Sequence, residues 1–178
     1  MKVNLSTYNN NWYKPGNAVK RILWYYINLI FFKSGWFPFY VMKVFLLKLF
    51  GAKLGNNVLI KPFVNIKYPW FLTIGNHVWI GEDVWIDNLA QVIIGDHVCI
   101  SQGALLLTGS HDYKSTSFNL TVKKITLEQG VWICAKAIVC AGVTCHTQSI
   151  VTAGSVVIED CEANSIFKGN PAIKIRTR

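Results

Sequence analysis

Large apolar residues return every sixth position along most of this chain. Counting from Leu127 gives Ile133, Val139, Cys145, Val151 and Val157. Four residues after each of the first five stands a smaller or β-branched residue: Val131, Ala137, Val143, Ser149 and Ser155. The same beat runs earlier through Leu54, Ile60 and Ile66. It slips by two to Ile74, Ile80, Ile86 and Val92, then slips again to Ile94, Ile100 and Leu106. A period of six matches neither a helix nor a flat amphipathic strand. It predicts a short-repeat solenoid with one flat side per hexapeptide and three sides per coil. Residues 54–158 would form roughly five coils.

The beat breaks fully only once, over TGSHDYKSTSFNLTVKKIT (residues 108–126). A long polar excursion from a rigid repeat is where function is expected. Residues 1–16 are polar and rich in Asn, which predicts a loosely held arm. Two apolar stretches follow. Residues 17–32 predict a helix with Lys20, Arg21, Trp24 and Asn28 on one face, and residues 39–50 a second with Lys43 and Lys48 outward. The chain therefore divides into an N-terminal arm with apolar basic helices (1–53), the solenoid (54–158) and a C-terminal tail (159–178) that leaves the repeat. The helices are candidates to cap one end of the column and the tail the other, since a solenoid's open ends need covering.

Composition sharpens this division. The chain has 178 residues, 52% of them apolar, and a net charge of +9. No Asp or Glu occurs before Glu82, so the ten Lys and Arg of residues 1–81 exceed the whole net charge. That asymmetry points to an anionic partner for the N-terminal part. Nucleic acid is not expected, because no recognition motif accompanies the charge. The aromatic residues Trp24, Tyr25, Tyr26, Trp36, Phe37 and Tyr40 beside Lys20, Arg21, Lys33, Lys43 and Lys48 suit the inner face of a membrane as well as a capping role. No apolar run is long enough to span a bilayer. Residues 22–32 make a poor signal peptide, so a cytoplasmic location with peripheral membrane contact is the expectation. The five cysteines contain no CxxC pair and read as packing residues in a reducing compartment. Cys145-His146 lacks the spacing of a full metal site, and no metal is expected.

Four histidines can be compared. His77 and His97 hold equivalent outward repeat positions and should stack, and His146 lies at a corner. His111 alone sits where the backbone leaves the wall, placed to accept a proton near neutral pH. Asp87 and Asn88 interrupt the repeat about one coil earlier and are candidates to bind an acceptor or to orient the imidazole. Asp112 is a third candidate for either role.

The segments ITLEQGVWICAKAIVCAGV, TAGSVV and FKGNPA resemble the hexapeptide-repeat acyltransferases, whose fold is a left-handed parallel β-helix. With WIDNL, ISQGALLLTGSHD and FGAKLG, the similarity is greatest to their colanic-acid-type branch, which O-acetylates sugars for bacterial exopolysaccharide or capsule. The resemblance covers about residues 50–176. It implies an all-β solenoid and a homotrimer with active sites between columns. It implies direct transfer from acetyl-CoA to the hydroxyl of a sugar or lipid-linked saccharide, with His111 as general base. It further implies an oxyanion contact from the Ala135 N–H. Coenzyme contacts would come from Trp132, Ala135, Ala153, Gly169 and Arg176. The pattern departs from the family at Cys134, at Cys145-His146 and at Ile158-Glu159. Two other readings are a metal-dependent carbonic anhydrase, which needs three histidines at one metal, and a scaffold without catalysis.

Overall fold

A computed structural model describes residues 2–178. The solenoid is a left-handed parallel β-helix of five full coils and part of a sixth. Each full coil places one short strand in each of three sheets. In the first coil these are Lys53–Leu54, Leu59–Ile60 and Asn65–Ile66. Every sixth residue points inward, so Ile60, Ile80, Ile100, Ile133 and Val151 stack in register along the second sheet. The stacked residues are almost fully buried. Side chains at the interior of such a column are mostly apolar, because stacking already pairs the backbone N–H and C=O groups; the buried polar ones are few, among them Asn88, Thr108, Ser149 and Ser155.

Corners carry the geometric strain. Asn57, His77, Asp83, His97, Lys136 and Gln148 adopt positive φ there. Gly75 and Gly95 face the next coil so closely that a Cβ would lie 2.8–2.9 Å from backbone. His77 and His97 stack as expected, with ring centroids 5.1 Å apart and planes within 1°.

The tail differs from its expectation. It does not leave the column: Cys161 bridges to Cys145, and Ser165–Gly169 adds a parallel strand beside Ile150–Val151. Only then does the chain reverse, through an antiparallel strand Ala172–Thr177.

The two helices are α1 (Ala18–Ile27), which widens into a π-helical turn at Asn28–Phe32, and α2 (Tyr40–Leu49). Asn17 caps α1 by accepting from the Val19 and Lys20 N–H groups. Both helices lie against the open edge of the first coil, and their orientation reverses the expectation. Trp24 and Asn28, from the face they share with Lys20 and Arg21, are buried. Lys43, expected outward, is completely buried. The reason is the unpaired edge. Trp24 Nε1 donates to the Ile66 carbonyl at 2.7 Å, the Asn28 Oδ1 accepts from the Ile66 N–H at 3.4 Å, and Lys43 Nζ donates to the Lys61 carbonyl at 2.9 Å.

Candidate active site

The excursion is a hairpin, not an irregular loop. Gly109–His111 pairs antiparallel with Leu120–Val122, and the wall resumes at Ile125. Thr108 pins its base. The Thr108 hydroxyl donates to the Asp87 carbonyl at 2.9 Å and accepts from the Ala90 N–H at 3.0 Å, while the Lys123 N–H donates to the Thr108 carbonyl. The hairpin thus leaves at the corner between the third and first sheets.

His111 is held there in one orientation. Its Nδ1 lies 2.9 Å from the Phe118 carbonyl, an acceptor only, so Nδ1 carries the proton and Nε2 keeps its lone pair. The Phe118 ring stacks on the imidazole at 4.4 Å with planes within 5°. Phe118 itself has φ 51°, an unusual conformation for a bulky residue. The imidazole therefore has a fixed tautomer with a free basic nitrogen, which is what a general base requires.

Two expectations about its surroundings are corrected. Asp112 does not hold the imidazole; its carboxylate accepts from the Lys114 N–H at 3.0 Å and shapes its own turn. Asn88 is fully buried, with both ends of its amide bonded to the Tyr68 backbone, which removes it from any role in touching an acceptor or orienting His111. Asp87 does keep a site-like character. It is 8% exposed, pairs with Lys67 at 2.9 Å, and faces a cavity of about 300 Å³ whose lining includes Arg21, Tyr68 and Trp85.

Sequence reasoning missed the N-terminal arm. Far from loose, it runs from the cap to the hairpin. The Tyr13 hydroxyl donates to the Leu89 carbonyl, the Asn9 N–H to Asn119 Oδ1 and the Asn4 N–H to the Thr116 carbonyl. Burial, together with the neighbouring Tyr68 and Asp87, pushes the Tyr13 phenol pKa up. The arm brings the Tyr8 ring to 5.9 Å from His111. An Asn-rich polar segment carries no hydropathy signal for this packing.

The expected coenzyme residues gather elsewhere. Trp132 lies on the outer face of the second sheet, 43% exposed, with Nε1 donating to Ser101 Oγ at 2.9 Å. Ala135 and Ala153 stack at the corner between the second and third sheets, where the Gly154 N–H donates to the Ala135 carbonyl at 3.0 Å. The Gly169 N–H reaches the same corner through Ser155 Oγ at 3.1 Å. Arg176 pairs with Ile166 on the last, exposed strand. These residues form one edge of the prism and His111 another, with the width of the third sheet between them.

Cys140 lines a cavity with Ser110 at the base of the hairpin, and burial pushes its thiol pKa up. Cys145 points into the core, while His146 Nδ1 sits 3.1 Å from Glu128 Oε1, so that pair does not converge on a metal. Among the described residues, no group of three or more His, Cys, Asp or Glu is placed to hold a metal ion.

The chain is 41% identical over 168 residues to a protein of Escherichia coli K12 named for colanic acid biosynthesis, the acetyltransferase WcaF. The match covers 93% of this chain and 91% of that protein. This chain is a hexapeptide-repeat acetyltransferase. Another member of the group, the galactoside O-acetyltransferase of Escherichia coli K12, is 30% identical over 134 residues, covering 74% of this chain and 66% of that one. The hexapeptide-repeat acetyltransferase VCA0836 of Vibrio cholerae, solved in complex with acetyl-CoA, superposes with a TM-score of 0.81 at 26% identity, over 92% of this chain and 91% of that one. No family model matches the chain.

Proposed function

We propose that this acetyltransferase moves an acetyl group from acetyl-CoA to a sugar hydroxyl, with His111 as general base. The observation that carries the reading is the His111–Phe118 contact, which leaves Nε2 as an oriented base on the one segment that leaves the wall. The acetyl-CoA complex of the Vibrio cholerae relative supports the donor. The names of the colanic acid and galactoside relatives support a sugar acceptor in polysaccharide assembly. Nε2 takes the hydroxyl proton as the sugar oxygen attacks the thioester carbonyl. The resulting oxyanion is held by the Ala135 N–H, a backbone donor fixed by its corner. Collapse breaks the C–S bond, and the imidazolium returns the proton to the departing thiolate. No acyl-enzyme is required. Trp132 lines the pantetheine path, Ala153 and Gly169 offer backbone contacts along it, and Arg176 meets the coenzyme phosphates. Asp87, and Asp112 at the hairpin turn, are the acidic groups available to an acceptor.

Because His111 and Ala135 lie on different edges, the active site is built by two columns of a cyclic homotrimer, one giving the base and its neighbour the coenzyme edge. A thioester donor and five cysteines without a disulfide support a reaction in a reducing compartment. The test is His111→Ala. Transfer to a sugar acceptor should fall about 10²–10⁴-fold, while acetyl-CoA affinity and a scattering mass of three chains of 20.1 kDa persist. Wild-type turnover in that variant, or a fully active monomer, overturns the reading.

A further inference from the structure

The helical cap turns its apolar side to solvent. Tyr25, Tyr26 and Leu29 on the first helical segment, and Trp36, Phe39 and Phe45 on the second side of the cap, are all exposed; Trp36 reaches 67% and Phe39 65%. Trp36 and Phe39 lie in the connection between the helices, where the rings of Phe31, Trp36, Phe37 and Phe39 run in a chain with centroids 4.9–6.4 Å apart, and Tyr25 meets Tyr26 at 5.3 Å on the first helix. Surfaces of this kind mark a partner or a membrane. Among the described residues no helix is long and apolar enough to cross a bilayer, and an exposed apolar side on short helices suits a surface-lying arrangement.

The charge around the patch chooses between occupants. Residues 1–81 contain no acidic side chain. Lys33 and Lys48 are exposed at the ends of the two helical segments. At the rim of the patch, the cavity of about 300 Å³ is lined by Tyr25 and Leu29 on the apolar side and by Arg21, Lys33 and Lys67 on the other. Lys67 is already paired with Asp87, but Arg21 Nε is buried and has no hydrogen-bond partner. A second copy of the chain meeting this face in two-fold fashion would set these cations against their own equivalents, with no acid on either cap to offset them. An anionic lipid surface offers the opposite: hydrocarbon for the aromatic and aliphatic groups, and phosphate for the cations.

We infer that the cap is an interfacial membrane-binding surface, with the aromatic patch seated in an anionic bilayer and a lipid headgroup phosphate received between Arg21 and Lys33. In a trimer whose three-fold axis runs along the column, three such caps point the same way and engage one plane together. This surface lies at the end of the column, and its cavity is also lined by Asp87, whose carboxylate is paired with Lys67.

Flotation of the full-length protein with lipid vesicles tests it. The protein should float with phosphatidylglycerol-containing vesicles at low salt, and far less at high salt or with phosphatidylcholine alone. Replacing Trp36, Phe39 and Phe45 together by Ser should weaken vesicle binding at least about a hundredfold. Arg21→Ala and Lys33→Ala should each weaken it about fivefold. An unchanged circular dichroism spectrum and melting temperature in Lys33→Ala, whose side chain is exposed, separates lost binding from lost folding. Absence of flotation with anionic vesicles overturns the inference, as does equal flotation on neutral lipid at both salts. A mass that doubles with concentration and reverts in the triple variant would assign the face to a second copy instead, and also overturns it.

Discussion

The β-helix wall and the helical cap differ in the polar side chains they bury among their apolar ones. Inside the wall, Ile80, Ile100 and Ile133 see only apolar neighbours. Under the cap, Asn28 and Lys43 are buried beside Trp24 and Leu47, while tyrosines and leucines of the same helices face solvent. The difference comes from the backbone. Each interior coil has its peptide groups paired by the coils above and below. The first coil has a neighbour on one side only, so its other edge needs donors and acceptors from elsewhere. Asn28 and Lys43 are drawn inward to serve that edge among the buried Trp24, Phe32, Leu47 and Phe50, and the remaining apolar residues of the helices stay outside. Hydropathy alone therefore reports burial where the backbone is self-sufficient and misses these two polar residues where it is not.

Three substitutions bear on this contrast. The largest effect belongs to the wall: Ile133→Ala should lower stability by about 2–5 kcal/mol, measured by urea unfolding, because a stacked column cannot collapse around the void. Asn28→Leu adds hydrophobicity at a buried position and should nevertheless destabilise by about 1–3 kcal/mol, since the Ile66 N–H and Asn65 Oδ1 lose their partner. A stabilised Asn28→Leu variant would break the comparison, because the cap would then behave as ordinary core. The smallest effect concerns pH. Burial lowers the Lys43 pKa from its ordinary 10.5. In that interval the folded chain has released the proton and the unfolded chain still holds it, so wild-type stability should rise with pH from the lowered value towards 10.5. Lys43→Met should flatten this slope in melting curves taken across the alkaline range. An identical slope in both proteins would remove Lys43 from the account of the cap.

The wall was legible in the sequence because its rule is local. Six residues set one side, and the inward position repeats without reference to distant parts of the chain. The position of His111 on the excursion was legible for the same reason, since a broken beat is visible wherever a beat exists. Orientation of the helices was not, because it depends on an edge more than thirty positions away, as in the bond from Trp24 to Ile66. The partner of His111 was hidden differently. A backbone carbonyl has no residue identity to read, so attention fell on the carboxylate of Asp112, and the role belongs to Phe118. Asn88 misled because a polar residue interrupting a repeat signals either a ligand or a backbone clamp. Only its bonds to Tyr68 distinguish the two. The tail was misjudged because Cys161 and Ser165–Gly169 continue the stacking without keeping the six-residue beat.

A column of parallel strands is also a growing template. Any uncovered end offers a row of peptide groups to which another chain could add in the same register, as fibrils add monomers. Here both ends refuse addition by different means. At the start, Trp24, Asn28 and Lys43 occupy the groups that an incoming strand would need. At the finish, the second sheet turns back on itself, and Ala172–Thr177 runs against the direction of stacking. The repeat contains no instruction about length. The number of coils is set by two stoppers, and truncation before residue 50 should turn an enzyme of fixed size into a seed for open-ended polymers.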